Sequence, residues 1–121
     1  MTIKQFQRKD ALRVMNWCKR NVGLNYRRHT LPALEWHSVS SDMDMGDYDF
    51  EDNIISVYKN NHTSVIEIIH TIIHEWAHYK QSTKKYYEYD TLYNYQDNPL
   101  EIQANELADK MKWKCRKDLF C

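Results

Sequence analysis

Two histidines and a glutamate stand close together near the middle of the chain, in the segment His74-Glu75-Trp76-Ala77-His78. Histidines four residues apart on a helix lie on one face, about one turn apart, so their ring nitrogens can reach a single zinc ion. The glutamate beside them is typical of a general base that takes a proton from metal-activated water. The spacing therefore predicts a zinc site with His74 and His78 as ligands and Glu75 as general base.

The third zinc ligand must come from another part of the chain, because a catalytic zinc ion takes three protein ligands and keeps one position open. Glu101 is the first candidate, since it lies in the first turn of a predicted helix, at the border of its buried face. The alternative is that Glu101 only completes a capping box with Asn98, three residues earlier. We predict that Glu101 binds the metal, and Glu106 and Glu88 are reserve candidates.

Two further polar residues lie at helical spacing from these positions. Asn105 is one turn after Glu101, and its carbonyl could accept the free ring N–H of either histidine ligand. His70 is one turn before His74, but His70 and His78 would be about 12 Å apart along a helix axis. One ion cannot bind all three histidines, so His70 is predicted to be a packed residue or an indirect neighbour of the site.

The histidine pair requires a helix, and the surrounding residues predict one from Ser64 to about Gln81. Ser64 can cap this helix while Glu67 reaches back to complete a capping box. Apolar residues recur with helical spacing and predict one broad buried face, with the histidines at its edge. These residues are Val65, Ile68, Ile69, Ile72, Ile73, Trp76 and Ala77.

Two other helices and a loop are predicted around the central helix. A first helix is expected over residues 9–22, with Gly23 as its left-handed end. The last helix begins with Asn98 as its cap and Pro99 in its first turn. The tyrosine-rich residues 84–97 show no clean period and are predicted to form an ordered loop. The expected buried stripe of the last helix is Leu100, Ala104, Leu107, Ala108, Met111 and Cys115.

Three short segments between the first and the central helix are predicted to be strands. Residues 34–39 carry apolar side chains on both faces. Residues 45–49 and 54–58 are strand-like as well, and residues 50–53 can turn between them, which predicts an antiparallel hairpin. The order of elements is then helix, small sheet, helix, loop and helix, an α+β protein.

The size and charge of the chain narrow the class of protein. Its 121 residues suit one compact domain, and no repeat or linker divides residues 1–121. The N-terminal stretch is basic and residues 35–52 are acidic. We interpret these two segments as solvent-exposed faces of one domain that attract each other, rather than as binding sites for a charged partner. Nucleic-acid binding is the weaker alternative, because no recognition fingerprint accompanies the basic residues. With no apolar run that could span a bilayer and no signal peptide, we expect a cytoplasmic protein without membrane contact.

Three cysteines are too few and too irregularly spaced for a disulfide framework or a zinc ribbon. They are predicted to be reduced thiols. Cys18 and Cys115 fall on apolar helix faces and are expected in the core, whereas Cys121 is terminal.

The two helical motifs resemble those of small gluzincin-type metallopeptidases, above all the ImmA/IrrE-like proteins and minimal phage-encoded relatives. In that group the HExxH helix is followed by a Glu-x-x-Ala-Asn pattern whose glutamate binds zinc, and residues 101–105 match it. The resemblance covers residues 46–111. It implies a zincin-like α+β fold, with a small, mostly antiparallel sheet packed on the HExxH helix and the C-terminal glutamate helix. The strand of residues 54–58 would be the edge strand along the cleft.

The resemblance implies a zinc-dependent endopeptidase with one Zn²⁺ per chain, acting on an intracellular peptide or protein substrate in a bacterial or phage-infected cytoplasm. Gln103 departs from the family, which often has a second acidic residue there, and no helix-turn-helix region is present. The chemistry therefore carries over better than a regulatory role. The alternative is a non-catalytic zinc-binding module with a regulatory protein partner, but such a module has no need of Glu75.

The proposed reaction also needs a substrate track and an oxyanion donor. An extended peptide could pair with the strand of residues 54–58 through backbone hydrogen bonds. A donor to the oxyanion could come from the tyrosine-rich segment. The candidates are Tyr86, Tyr87, Tyr89, Tyr93 and Tyr95, and the sequence does not choose among them.

Overall fold

The computed structural model describes residues 1–28, 30–40 and 42–120 of the chain. These residues form an α+β arrangement of four α-helices and one three-stranded sheet, as the sequence predicts at this level. The elements are α1 (Arg8–Asn21), β1 (Ala33–His37), β2 (Gly46–Asp49), β3 (Ile54–Tyr58), α2 (Val65–Lys80), α3 (Thr83–Leu92) and α4 (Pro99–Phe120).

The central helix α2 begins one residue after Ser64, as predicted. The Ser64 hydroxyl accepts a hydrogen bond from the Glu67 backbone N–H, at 3.3 Å. Glu67 does not return the bond to Ser64, because its carboxylate instead accepts from the Thr63 N–H, at 2.9 Å. Twelve of the sixteen residues of α2 are buried, so it is a core helix enclosed by the sheet on one side and by α1 and α4 on others.

The sheet is mixed rather than mostly antiparallel, which corrects the expected architecture. β2 and β3 form the predicted antiparallel hairpin, with residues 50–53 between them. β1 pairs with β3 in parallel, so the strand order is β1-β3-β2. Asn53 closes the hairpin turn in the left-handed conformation, with φ of 57°, which asparagine tolerates better than most residues.

The predicted edge strand is wrong, because residues 54–58 form the central strand of this sheet. The reason lies in the sequence of β3, where Ile55, Ser56 and Val57 are consecutive and all buried. A strand that is buried on both faces suits the middle of a sheet and not its margin. In the described sheet, β2 is the edge strand next to the histidine helix.

The tyrosine-rich segment is not a loop over its whole length, because Thr83–Leu92 forms α3. The Ser82 hydroxyl caps this helix by accepting from the Lys85 N–H, at 3.4 Å. Residues of α3 are partly or fully exposed and none is buried. A surface helix without a buried stripe shows no apolar period, which is why the sequence pattern missed it.

The outer helices complete the core. Cys18 of α1 and Cys115 of α4 are both fully buried and free, as predicted, and burial raises the pKa of each thiol. The Trp17 indole N–H donates to Asp118 Oδ2 at 2.8 Å and ties α1 to the end of α4. Cys121 lies outside the described residues. In the part of the chain that the structure describes, no helix combines the length and the apolar character needed to cross a membrane.

A tight contact holds β2 against α2. A Cβ atom added at Gly46 would lie 2.5 Å from Thr71 Cγ2 and 2.9 Å from the Ser56 carbonyl oxygen. The Thr71 hydroxyl is 2.8 Å from Nε2 of the buried His62. The His62 Nδ1 faces the Tyr58 carbonyl at 2.9 Å, so Nδ1 carries the proton and Nε2 accepts from Thr71. The edge strand therefore approaches α2 only because residue 46 lacks a side chain.

We predict that Gly46→Ala lowers the free energy of unfolding by about 1–3 kcal/mol, because the new methyl group overpacks this contact. Adding Thr71→Ser should recover part of the loss, since it removes the clashing Cγ2 and keeps the hydroxyl bonded to His62. Urea unfolding of both single variants and the double variant measures this coupling. A Gly46→Ala protein as stable as the original chain would show that β2 does not depend on the contact.

Candidate metal centre

Three potential metal ligands converge from two helices. His74 and His78 lie one turn apart on α2, and Glu101 lies in the first turn of α4. The His78 Nε2 is 2.6 Å from Glu101 Oε1, the His74 Nε2 is 3.2 Å from Glu101 Oε2, and the two histidine Nε2 atoms are 3.2 Å apart. Among the described residues, these three form the one group of His, Cys, Asp and Glu side chains that could hold a metal ion.

These distances suit a small tetrahedral ion. In a zinc site with bonds of about 2.0–2.2 Å, neighbouring ligand atoms are about 3.3–3.5 Å apart. The two 3.2 Å distances lie within a few tenths of an ångström of that range, and the 2.6 Å distance is a hydrogen bond between His78 and Glu101. Two histidine nitrogens with one carboxylate oxygen are also a ligand set that zinc commonly takes. The residues present therefore fit a zinc ion.

One oxygen in this cluster is not satisfied by the protein. Glu101 Oε2 is buried and accepts no well-aligned hydrogen bond from the described residues, although His74 Nε2 lies 3.2 Å away. A buried carboxylate oxygen without a partner is costly, and such a group calls for an explanation. A cation among the three side chains would provide one. Although burial opposes it, bonding to the two histidines lowers the pKa of Glu101 well below its usual value.

A residue that sequence reasoning missed orients one of the ligands. The His78 Nδ1 is 2.6 Å from Gln81 Oε1, and the Gln81 amide N–H₂ donates to the Leu100 carbonyl at 2.9 Å and to Gln103 Oε1 at 3.0 Å. Gln81 Oε1 is thus the acceptor, so His78 carries a proton on Nδ1. With Nδ1 fixed as a donor, His78 can bind a metal ion through Nε2 once the ion displaces the Nε2 proton that bonds to Glu101. Gln81 follows His78 by three residues, and this spacing was the sequence signal that could have predicted the contact.

Glu75 lies beside the cluster and faces a cavity. It is only 7% exposed, and it lines a cavity of 180 Å³ together with both histidines and Glu101. Burial raises the pKa of Glu75 to about 7, although the neighbouring histidines oppose the shift. A carboxyl group with a pKa near neutrality can both accept and return a proton. This position is the one expected of a general base.

The alternative interpretation of Glu101 as a helix cap does not describe the structure. Asn98 caps α4 with its own side chain, because Asn98 Oδ1 accepts from the Leu100 N–H at 2.9 Å. The Asn98 backbone N–H bonds to the Tyr95 carbonyl, so it does not need the Glu101 carboxylate. The reserve candidates Glu88 and Glu106 are exposed and lie outside the three-residue cluster.

His70 and Asn105 lie outside the group of three potential ligands. His70 Nδ1 is 3.5 Å from both Asp109 Oδ1 and Lys112 Nζ, so its ring is engaged outside the three-ligand group. Asn105 is exposed and borders the same surface cavity as His70 and His74. Its expected support of a histidine ligand stays a prediction, and the observed support of His78 comes from Gln81.

The structure separates the five tyrosines of the tyrosine-rich segment. Tyr86, Tyr93 and Tyr95 line the cavity beside Glu75. Tyr87 instead donates to Glu51 Oε1 at 3.2 Å, and Tyr89 packs on Tyr93 with ring centroids 5.5 Å apart. Tyr95 is 70% exposed overall, and desolvation of its hydroxyl, followed by the charge of Glu101, raises the pKa of Tyr95 well above its usual value. Its hydroxyl therefore remains protonated near neutral pH.

Comparison with known proteins identifies no relative: no protein-family model, curated protein or solved structure matches this chain significantly. The arguments about this site therefore rest on its own residues and distances.

We predict that the chain binds one Zn²⁺ through His74, His78 and Glu101. Glu101→Gln should weaken zinc binding strongly, because it replaces an anionic oxygen with a neutral amide while the Asn98 cap preserves α4. Competition with a chelator measures the affinity, and far-ultraviolet circular dichroism monitors the helix. Glu106→Gln, with the same loss of charge on the same helix, is the matched control. Equal zinc affinity of the two variants would contradict the ligand assignment.

The two candidate supporting residues can be ranked in the same chelator assay. Gln81→Leu should weaken zinc binding by about 10 to 100-fold, the usual effect of losing the partner that fixes a ligand's ring. Asn105→Ala should have a smaller effect, because Asn105 is exposed and the observed partner of the His78 ring N–H is Gln81. A larger loss for Asn105→Ala than for Gln81→Leu would reverse the ranking.

Proposed function

We propose that this protein is a zinc-dependent endopeptidase of the gluzincin type, akin to the ImmA/IrrE-like proteins and their minimal phage-encoded relatives. We further propose a zincin-like fold and an intracellular protein substrate, cleaved in the cytoplasm. The observation that carries the proposal is the convergence of His74, His78 and Glu101 within 4.8 Å of one another, beside the buried Glu75. Pure metal binding requires the first three residues only. A buried carboxylate that faces the same cavity adds a means to move a proton.

Zinc, when held by these three side chains, supplies Lewis acidity that activates water and polarises a peptide carbonyl. Glu75 then has two tasks. It accepts a proton from the attacking water, and it delivers that proton to the amine of the departing fragment. Burial raises the pKa of Glu75, and a zinc ion beside it would oppose that shift, which favours the ionised carboxylate that can accept the proton. The surrounding side chains exclude bulk water and keep Glu75 directed at the cavity.

Tyr95 is the proposed donor to the oxyanion that develops on the substrate. Tyr95 lines the cavity on which Glu75 and Glu101 also border, and its pKa is raised, so its hydroxyl keeps its proton. A neutral O–H in this position can donate to a negatively charged oxygen without first losing a proton. Neither Tyr87, which bonds to Glu51, nor Tyr89, which packs on Tyr93, lines this cavity.

Because β3 is the central strand, we propose that the substrate pairs with the edge strand β2 instead. β2 is the margin of the described sheet, and Gly46, Asp47 and Tyr48 line the cavity beside Glu75. An extended peptide could add to this edge through backbone hydrogen bonds, which would fix its register across the site. Because side chains alternate along an extended peptide, every second side chain of the substrate would then point into the cavity.

Replacement of Glu75 by Gln should leave zinc content and helicity unchanged and reduce peptide cleavage by about 10²–10⁴-fold, because only the proton transfer is removed. A quenched peptide library with mass-spectrometric identification of the products measures cleavage, and elemental analysis measures zinc. Glu88→Gln, an exposed replacement of the same type, should cleave like the original chain. If Glu75→Gln cleaved equally well, the peptidase proposal would fail, and a non-catalytic zinc-binding module would be the better interpretation.

A separate prediction concerns Tyr95. Tyr95→Phe should lower kcat by about 10²–10³-fold, the loss typical of one oxyanion donor, with little change in zinc affinity. The matched control is Tyr87→Phe, which removes a hydroxyl bonded outside the cavity. If Tyr95 only supports Glu101, Tyr95→Phe should weaken zinc binding in proportion to the lost activity. Measuring kcat and zinc affinity on the same preparations separates these roles.

A further inference from the structure

The cavity beside Glu75 is strongly acidic. Carboxylates from four elements border it: Asp47 on β2, Glu75 on α2, Asp90 on α3 and Glu101 on α4. None of its lining residues among the described part of the chain is Lys or Arg. Charges of one sign in a concave, partly desolvated space reinforce one another and attract the opposite charge.

Two of these carboxylates have no counter-charge from the protein. Glu101 bonds to the two histidines, but neither Asp47 nor Asp90 takes part in any of the ion pairs formed by the described residues. Burial, and then repulsion from Asp49, raises the pKa of Asp47, as expected for a carboxylate without a cationic neighbour. A divalent ion at the histidines would offset Glu75 and Glu101 and would leave Asp47 and Asp90 uncompensated.

The Glu75 side chain is an independent sign that this cavity receives a ligand. It is more than nine-tenths buried and lines the cavity, and its oxygens open onto this space, because Glu101 Oε2 is the fully buried side-chain oxygen left without a partner among the described residues. Buried polar groups in proteins nearly always have partners. A ligand that enters the cavity with N–H donors or a positive charge would supply one.

The walls of the cavity suit a long side chain with a charged end. The Tyr86 ring stacks on Phe50, with centroids 3.9 Å apart and planes inclined by 19°. Tyr86 lines the cavity together with Asp47 and Asp90, and burial, then the charges of these two carboxylates, raises the pKa of Tyr86. Lys and Arg side chains place their alkyl stems along such rings and direct their charged ends to carboxylates and to the faces of aromatic rings. The volume of 180 Å³ is below the roughly 300–1,000 Å³ of a small-molecule pocket, and it suits one side chain.

We propose that this cavity is a specificity subsite for a Lys or Arg side chain of the peptide substrate, adjacent to the cleaved bond, with Asp47 and Asp90 as the recognising carboxylates. The inference rests on the proposed peptidase function and adds the substrate class. It also assigns roles to α3, which supplies Asp90 and Tyr86, and to the edge strand β2, which supplies Asp47.

The first experiment compares quenched peptides that differ at a single residue on either side of the cleaved bond, where Lys, Arg, Gln or Glu is placed. The zinc-loaded protein should cleave the Lys and Arg peptides with a kcat/KM about tenfold above that of the Gln peptide, and the Glu peptide least efficiently. The preference should weaken as the salt concentration rises, because Asp47 and Asp90 are exposed.

The variants test whether these two carboxylates create the preference. Asp47→Asn combined with Asp90→Asn should bring the Lys and Gln peptides to similar kcat/KM values, with zinc affinity unchanged. Asp90→Lys, on the surface helix α3, should shift the preference towards the Glu peptide. Glu88→Gln is the matched control, since it removes a carboxylate from the same helix outside the cavity. Its preference for basic peptides should equal that of the original chain.

A binding measurement separates the failure of the subsite from the failure of the peptidase proposal. Fluorescence anisotropy of labelled Lys and Gln peptides on zinc-loaded Glu75→Gln reports recognition without turnover. Tighter binding of the Lys peptide, lost on addition of the two Asp→Asn changes, supports the subsite even if no peptide is cleaved. Cleavage that depends on Glu75 but ignores the charge of the neighbouring residue would overturn the subsite and leave the proposed function intact. Equal binding of the Lys and Gln peptides would also overturn it.

Discussion

The site is held together by a carboxylate of one helix that enters the space between two imidazoles of another. Glu101 lies within 3.2 Å of both histidine Nε2 atoms, and its burial makes this arrangement sensitive to small displacements. The spacing of α2 fixes the two rings relative to each other, but the position of Glu101 depends on where α4 begins. The Asn98 cap sets that beginning, and Gln81 ties it to α2 by donating to the Leu100 carbonyl. Hydrogen bonds between these two side chains and the backbone of Leu100 therefore set the distance between the ligands.

The same helix register explains why Glu75 lies beside the three proposed ligands without joining them. A residue next to His74 on a helix is rotated by about 100°, so it cannot share the histidine edge. In this protein that direction leads towards β2, and Gly46 keeps the strand close enough for the cavity to remain narrow. Narrowness and burial raise the pKa of Glu75, because they withhold the water that would stabilise its charge. The proposed proton transfer thus depends on the packing of a glycine, at a position without chemistry of its own.

The parts of the structure that follow from local patterns were predictable. The histidine spacing, the Ser64 and Asn98 caps and the β2–β3 hairpin each depend on a few neighbouring residues, and all are present. The central place of β3 was open to prediction too, because its buried run of Ile55, Ser56 and Val57 indicates an interior strand. The parallel partner β1 was not, since pairing across a long connection is not encoded locally. Likewise, α3 has no buried face, and the position of Asp90 beside Asp47 arises only when this helix folds over the edge strand.

The chemistry of the site and the stability of the fold have largely separate sources. Large apolar side chains of α2, among them Ile69, Ile73 and Trp76, are buried away from the cavity-lining residues and carry the hydrophobic contribution. The short hydrogen bond between His78 and Glu101 offsets part of the free-energy cost of burying these two polar side chains. Only Glu101 Oε2 lacks a well-aligned partner among the described residues. The proposed zinc site lies at the edge of this apolar core, unlike the site of a zinc finger, whose ligands provide most of its folding energy. Changes to the three ligands should therefore disturb the core less than changes to Ile69, Ile73 or Trp76.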